Sequence, residues 1–254
     1  MDNKRILTNI VAPIIGLVLF ILVWYIAAAA VGISILLPTP IETLKEFFLL
    51  FGSSKFYLAI GSTLLRTIVG FLIAFILAAI FAFFSSRSRF VKNLFYPFSV
   101  ILRVLPTISV ILLVMIWFRS SVAPYVITFL IIFPILYKTI LDAIEGVDSK
   151  LLEMAESYRF SAKKKLYYIY IPQMMPSLLT GASITLSFSV KLTIAAEVLC
   201  YTKDCIGKNL QEASAYIETA SLLAWTLVAV ILGFLLEGTL LFVKKFVVRH
   251  YYGN

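Results

Sequence analysis

"LLEMAESYRFSAKKKLYYIYIP", residues 151–172, is the longest charged stretch of a chain that is otherwise mostly apolar. It carries three consecutive lysines, Lys163, Lys164 and Lys165, and 153–168 contains neither Gly nor Pro. These residue types predict a helix or two, closed by Pro172 and Pro176 as the chain turns apolar again. The sequence on either side decides what such a segment is. Both flanks are long enough and apolar enough to cross a bilayer, so this is an ordered loop between two crossings.

The 254 residues are 61% hydrophobic and 14% charged, with a mean hydropathy of +1.01. Soluble domains have roughly 45–50% apolar and about 25% charged residues. This chain could not cover its own surface with polar groups and belongs in a membrane. Apolar stretches run over 10–31, 62–84, 94–118, 122–143, 177–199 and 221–243. Hydrocarbon offers no partner to an open strand, so each is read as helical. The fold class expected is an all-α integral membrane protein of about six transmembrane helices, one transmembrane domain over 1–254. The basic, apolar N-terminus reads as a retained first crossing, because its apolar run is too long for a signal peptide.

The net charge of +9 reads as an orientation signal. Lys4, Arg5, Arg87, Arg89, Lys92, Lys138, Lys150, Arg159, Lys163–Lys165, Lys244, Lys245 and Arg249 fall on one side of the six spans. Only Lys45, Lys55, Arg119, Lys203 and Lys208 fall on the other. Both termini and the 151–172 loop are therefore expected in the cytoplasm. No aromatic-interleaved basic segment supports nucleic acid as a partner. The lysine run by itself reads as an anchor to anionic lipid. That does not account for Leu152, Met154, Ala155, Tyr158 and Phe160, expected as an apolar face outside the membrane, which wants a partner surface.

On the outer side, Pro38–Pro40 marks a corner, and apolar residues at helical spacing over 41–51 predict a helix along the interface. Cys200 and Cys205 could pair in an oxidising exterior, but five residues make a tight closure, which favours two free thiols. Neither has His or further Cys nearby, so no metal is expected. The single histidine, His250, reads as a basic surface residue of the tail. No HExxH or GxSxG is present, so the sequence offers no catalytic set, and no cofactor is implied.

The loop resembles the signature of the permease subunits of binding-protein-dependent ABC importers. That pattern is Glu-Ala-Ala, three residues, Gly, nine residues, Ile, one residue, Leu-Pro. Here it stands as Glu153-Met154-Ala155, Arg159, and Ile169-Tyr170-Ile171-Pro172, with Met154, Arg159 and Ile171 replacing the usual Ala, Gly and Leu. Similarity to the nitrate/sulfonate/taurine type extends through "STLLRTIVGFLIAF" (62–75), "ILRVLPTISVILLVMIWF" (101–118), "FPILYKTILDAIEGVD" (133–148) and "AAEVL" (195–199). The resemblance implies that 150–172 is a coupling loop docking a separate ATPase through Glu153, Met154, Ala155, Arg159, Phe160, Ser161, Ala162, Ile169 and Pro172. It implies two ATPase copies, a second copy of this chain, an external substrate-binding protein and a bacterial cytoplasmic membrane. The chain has no GxxxxGK[ST] loop, so ATP would be hydrolysed by the partner. A stand-alone secondary transporter or channel is the competing class, and the first half has no equivalent of the 153–172 segment. The group moves nitrate, sulfonates, taurine and vitamin precursors.

Charged residues inside spans are expensive, and they mark paths or internal pairs. Arg66 is close enough to a span end to snorkel. Arg103 is expected near mid-depth of span three. Arg103, Ser187, Lys191 and Glu197 are the candidate translocation residues. Internal pairing of Arg103 or Lys191 with Glu197 or Glu237 is the alternative, though Lys191 and Glu197, about 240° apart on one helix, do not share a face. Ser183, Thr185, Ser187, Ser189 and Thr193 either line a polar path or bond back to their own helix.

Overall fold

A computed structural model describes residues 2–252, with side chains over 11–249. The side chains of Lys4, Arg5 and His250 lie outside that range. Among the described residues every regular element is a helix, and five helical segments are long and apolar enough to cross a membrane. A bent helix pair makes a sixth crossing if counted as one.

α1 (Asp2–Val31) leaves most of its side chains exposed, and the Trp24 indole donates to Pro38 O (3.1 Å) where the chain turns. α2 (Pro40–Leu50) begins in a capping box: Thr39 Oγ1 accepts from Glu42 N (3.2 Å), and Glu42 Oε2 accepts from Thr39 N (2.8 Å). Pro40 at the first turn needs no N–H partner there. The helix expected along the interface is this one, with Ile41 and Phe48 exposed and Thr43 turned inward.

α3 (Ser54–Arg87) carries one buried stripe at intervals of three and four: Ala59, Thr63, Thr67, Gly70, Ala74, Ala78, Ala82 and Ser85. Small residues at that spacing let α6 (Ala123–Glu145) approach closely. A Cβ on Gly70 would lie 3.0 Å from Thr128 Cγ2. α9 (Ile171–Leu199) closes the three-helix core around Phe71, Ile132, Leu136, Tyr137, Ala182 and Leu186. The buried Tyr137 hydroxyl donates to Ser85 Oγ (2.8 Å). α11 (Thr219–Tyr252) packs along α9 and α2.

The third crossing departs from expectation. Residues 94–118 do not form one straight helix. α4 (Arg89–Val104) and α5 (Thr107–Trp117) meet at 99°. Pro106 is the cause. It has no amide to bond back, and it drives Leu105 out of the helical region, to ψ 131°. Arg103 is therefore not in the middle of a straight span. It lies in the last turn of α4, exposed beside the elbow, with Nε donating to Ser99 O (3.2 Å). The second and sixth crossings are also longer than their apolar runs, reaching Ser54 and Tyr252.

Candidate coupling loop and translocation cleft

The 151–172 segment folds as a helix, a bend, and the start of a long rod. Asp148 caps α7 (Ser149–Ser157), its carboxylate accepting from Lys150 N (2.9 Å). Asp148 N donates to Gln173 Oε1 (2.9 Å), which ties the entry of the loop to its exit. The far end of α7 is closed by paired bonds, Arg159 N to Glu156 O (2.9 Å) and Phe160 N to Ala155 O (2.8 Å). This is a Schellman ending, and Arg159 takes the left-handed position at φ 53°. The usual residue of the importer pattern at this point is glycine, which reaches that conformation without strain. The loop holds Arg159 there through the two backbone bonds and a Lys165–Glu156 ion pair across the bend (3.0 Å).

Ser161 caps α8 (Ala162–Lys165), its hydroxyl accepting from Lys164 N (3.4 Å). One π-helical turn, Leu166–Tyr170, then leads into α9. Pro172 supplies no amide to Tyr168 O, and its ring would press on that carbonyl in an α-helix; the wider turn relieves the conflict. The result is one continuous helical stretch, Ala162–Leu199, of 38 residues.

The apolar residues expected to form one exposed face divide between two. Ala155 and Ile169 are buried with Val147, and Leu152 and Phe160 pack half-buried against them. Met154 and Tyr158 stay exposed beside Glu153, and Pro172 is half-buried at the base of the rod. The inner set fixes the loop on the bundle and leaves Met154 and Tyr158 exposed.

At the opposite end of α9, Glu197 is fully buried and fully occupied. Oε1 accepts from Arg66 Nη1 (2.9 Å), and Oε2 accepts from Thr63 Oγ1 (2.9 Å) and Gly207 N (3.2 Å). Thr63 Oγ1 in turn accepts from Ile206 N (3.0 Å). The N-terminus of α10 (Ile206–Ala215) is thereby held to α3 and α9. A Cβ on Gly207 would stand 2.4 Å from Glu197 Cβ, so only glycine fits. Two expectations are corrected here. Arg66 does not snorkel, because a buried carboxylate holds it inward. Glu197 pairs with Arg66, not with Arg103 or Lys191, and faces no open space. Cys205 caps α10, its thiol donating to Thr202 O (3.1 Å) and its sulfur accepting from Lys208 N (3.3 Å). Burial pushes that thiol up to about 12. Cys200 is buried as well and is not bonded to Cys205.

Most hydroxyls of α9 bond to their own helix: Thr180 to Pro176 O, Ser183 to Thr180 O, Thr185 to Gly181 O and Ser189 to Thr185 O. Thr193 pairs with Thr128 (2.9 Å). Ser187, unlike Ser183, Thr185, Ser189 and Thr193, lines open space. It opens, with Lys191, into a cleft of about 640 Å³ between α9 and α11 that Glu237 also lines.

Residues 70–248 match the family model described as binding-protein-dependent transport system inner membrane component. The chain belongs to that family. This permease is 25% identical over 228 residues to the taurine transport system permease protein TauC of Escherichia coli (strain K12), covering 87% of this chain and 82% of the relative. It is 24% identical over 180 residues to the formylaminopyrimidine transport permease protein ThiX of Halalkalibacterium halodurans, covering 70% and 71% of the two chains. Its fold is similar to that in the inward-facing MetNI methionine ABC transporter, with a TM-score of 0.60 at 16% identity over 74% of this chain and 94% of the other. The permease is a multi-pass membrane transport subunit of the ABC importer class.

The Arg66–Glu197 tie was not expected from the sequence, although both residues lie near the same end of their spans. Of the pairings expected for Lys191, Glu237 is the partner that shares its cleft, without an ion pair between them among the described residues.

Proposed function

We propose that this permease, 1–254, forms one domain that pairs with a second copy and imports a small solute handed over by an external binding protein. Two copies of a separate ABC ATPase bind the 150–172 loops and supply the energy. The Lys/Arg bias supports a cytoplasmic loop and cytoplasmic termini, with the chain in a bacterial inner membrane and anionic lipid at Lys163–Lys165. The relatives support an anion such as a sulfonate, a taurine-like solute, or a vitamin precursor as cargo. Ser187 and Lys191 line the route, whereas Arg103 stands at the α4–α5 elbow and Glu197 supports the frame.

The observation that carries this reading is the build of the loop. A soft loop would absorb a push from an ATPase. This one is bonded at its entry, closed at its bend and continuous with a 38-residue rod. Its exposed Glu153, Met154 and Tyr158 form the docking edge, and Ala155 and Ile169 form the seat beneath it.

Glu153→Lys tests the loop. In proteoliposomes with the ATPase and binding protein, docking of the ATPase should weaken by about tenfold, the equivalent of one charge contact of about 1.4 kcal/mol. Unchanged transport and unchanged co-purification would remove the loop from the mechanism. Single cysteines at 163–165 should label only from the cytoplasmic side, and labelling from outside would invert the topology.

A further inference from the structure

The α9–α11 cleft has an internal geometry that the family relationship does not specify. Ser187 and Gly233 mark the level where the two antiparallel helices touch: a Cβ on Gly233 would lie 3.3 Å from Ser187 Oγ. Lys191 is one turn from Ser187 toward the α10 end, and Glu237 is one turn from Gly233 toward the loop end. Side chains lean toward the N-terminus of their own helix. For α9 that direction is the loop end, and for α11 it is the α10 end. The ammonium and the carboxylate therefore lean toward each other across the Ser187–Gly233 level. Neither takes part in an ion pair among the described residues. Lys191 is exposed and Glu237 half-buried, both in segments of membrane-crossing length. Charges left open at such depth face water, not lipid.

We propose that this cleft receives a small zwitterion, its anionic group at Lys191 and its ammonium at Glu237. The proposal rests on the cleft belonging to the translocation route. A solute with only a negative charge would meet Lys191 and be repelled by Glu237, and a cation would suffer the reverse. A dipolar solute offers one charge of each sign and satisfies both without closing them on each other. The remaining wall is mostly apolar, as at Ile184 and Phe188, and does not compete for the charges. The volume leaves room for the hydration that a weakly held, transported solute keeps. Leu210 of α10 and Thr226 stand at the other end of the lining, so the cleft reaches toward the α10 face, where an external protein would deliver its load.

The test has three arms. The cognate binding protein is titrated by calorimetry with taurine and β-alanine, and with ethanesulfonate and propionate, which lack the amine. A preference for a zwitterion by about tenfold or more is expected; preference for an amine-free anion overturns the proposal, and this arm does not depend on any variant folding. Uptake of the preferred zwitterion is then measured in proteoliposomes containing the permease and ATPase. Glu237→Gln and Lys191→Met should each lower initial uptake by about tenfold or more while co-purification with the ATPase persists. Wild-type uptake by the Lys191→Met/Glu237→Gln double variant overturns the proposal, because it reduces the two charges to an ordinary helix pair. Finally, Ser187→Cys is treated with a water-soluble thiol reagent. If it stays unlabelled, the cleft is not on the route and the wider reading of the path fails. If it labels while Glu237→Gln imports normally, only the zwitterion is lost.

Discussion

Along α9, less than two turns apart, two carboxylate–cation encounters are built in opposite ways. Glu197 accepts from Arg66, Thr63 and Gly207 and is sealed from solvent. Lys191 and Glu237 line the same open cleft and form no ion pair among the described residues. A buried ion is tolerated where its remaining lone pairs are met, and an open one where water reaches it. The α10 end of the bundle is thus a fixed joint, and the cleft beside it is an open surface on the same helix.

The largest break in that comparison comes from Glu197→Ala. Arg66, Thr63 and the Gly207 amide would lose their acceptor inside the protein, at a cost of about 3–5 kcal/mol. Thermal unfolding of the detergent-solubilised permease should show it, and α10 should become accessible to protease. Gly207→Ala should weaken the same joint by about 1–3 kcal/mol, because its Cβ would overlap Glu197 Cβ. By contrast, Lys191→Met should leave the melting temperature within the shift expected for about 0.5 kcal/mol, since it breaks no pair. A large loss there would mean that the cleft closes on itself and that the two encounters are alike. Cysteine chemistry sharpens the same contrast. With its pKa raised, Cys205 stays protonated well above neutrality, so alkylation of the folded permease at pH 8 should be negligible. The stability this burial confers is present below the ordinary thiol range and is lost as pH rises toward about 12. Rapid alkylation at pH 8 would show that the α10 joint opens.

The loop offers a smaller test. Arg159→Gly should raise stability by about 0.5–1 kcal/mol, because the residue already occupies a left-handed position that suits glycine. A loss instead would mean that the arginine side chain is needed at the bend.

How much of this was legible in the sequence depends on whether the governing forces are local. The apolar runs of α3, α6, α9 and α11 are visible because hydrocarbon imposes composition residue by residue. The cap at Asp148 and the spacing from Glu153 to Pro172 are equally local. Proline was ambiguous: Pro134 is carried inside α6, buried in the core, whereas Pro106 breaks its span by 99°. What differs is the packing around them, not the residue. Arg66 and Glu197 are 131 residues apart, and no helical periodicity brings them together. The left-handed Arg159 was hidden because backbone bonds, not the side chain, select that conformation.

The 38-residue rod comes close to α6 at Gly181, where an added Cβ would lie 2.4 Å from Thr139 Cγ2. Gly181 is also the rod's midpoint. Beyond it, Thr193 is bonded to Thr128 and Glu197 to Arg66, so the rod is a strut clamped along the half that leads to α10. At 1.5 Å per residue the half between Gly181 and the loop is about 28 Å long, so a bend of about 5° at that glycine moves the loop tip about 2.5 Å. A push at the loop then reaches the Glu197 joint as force along one helix, with no relay of separate hinges between them.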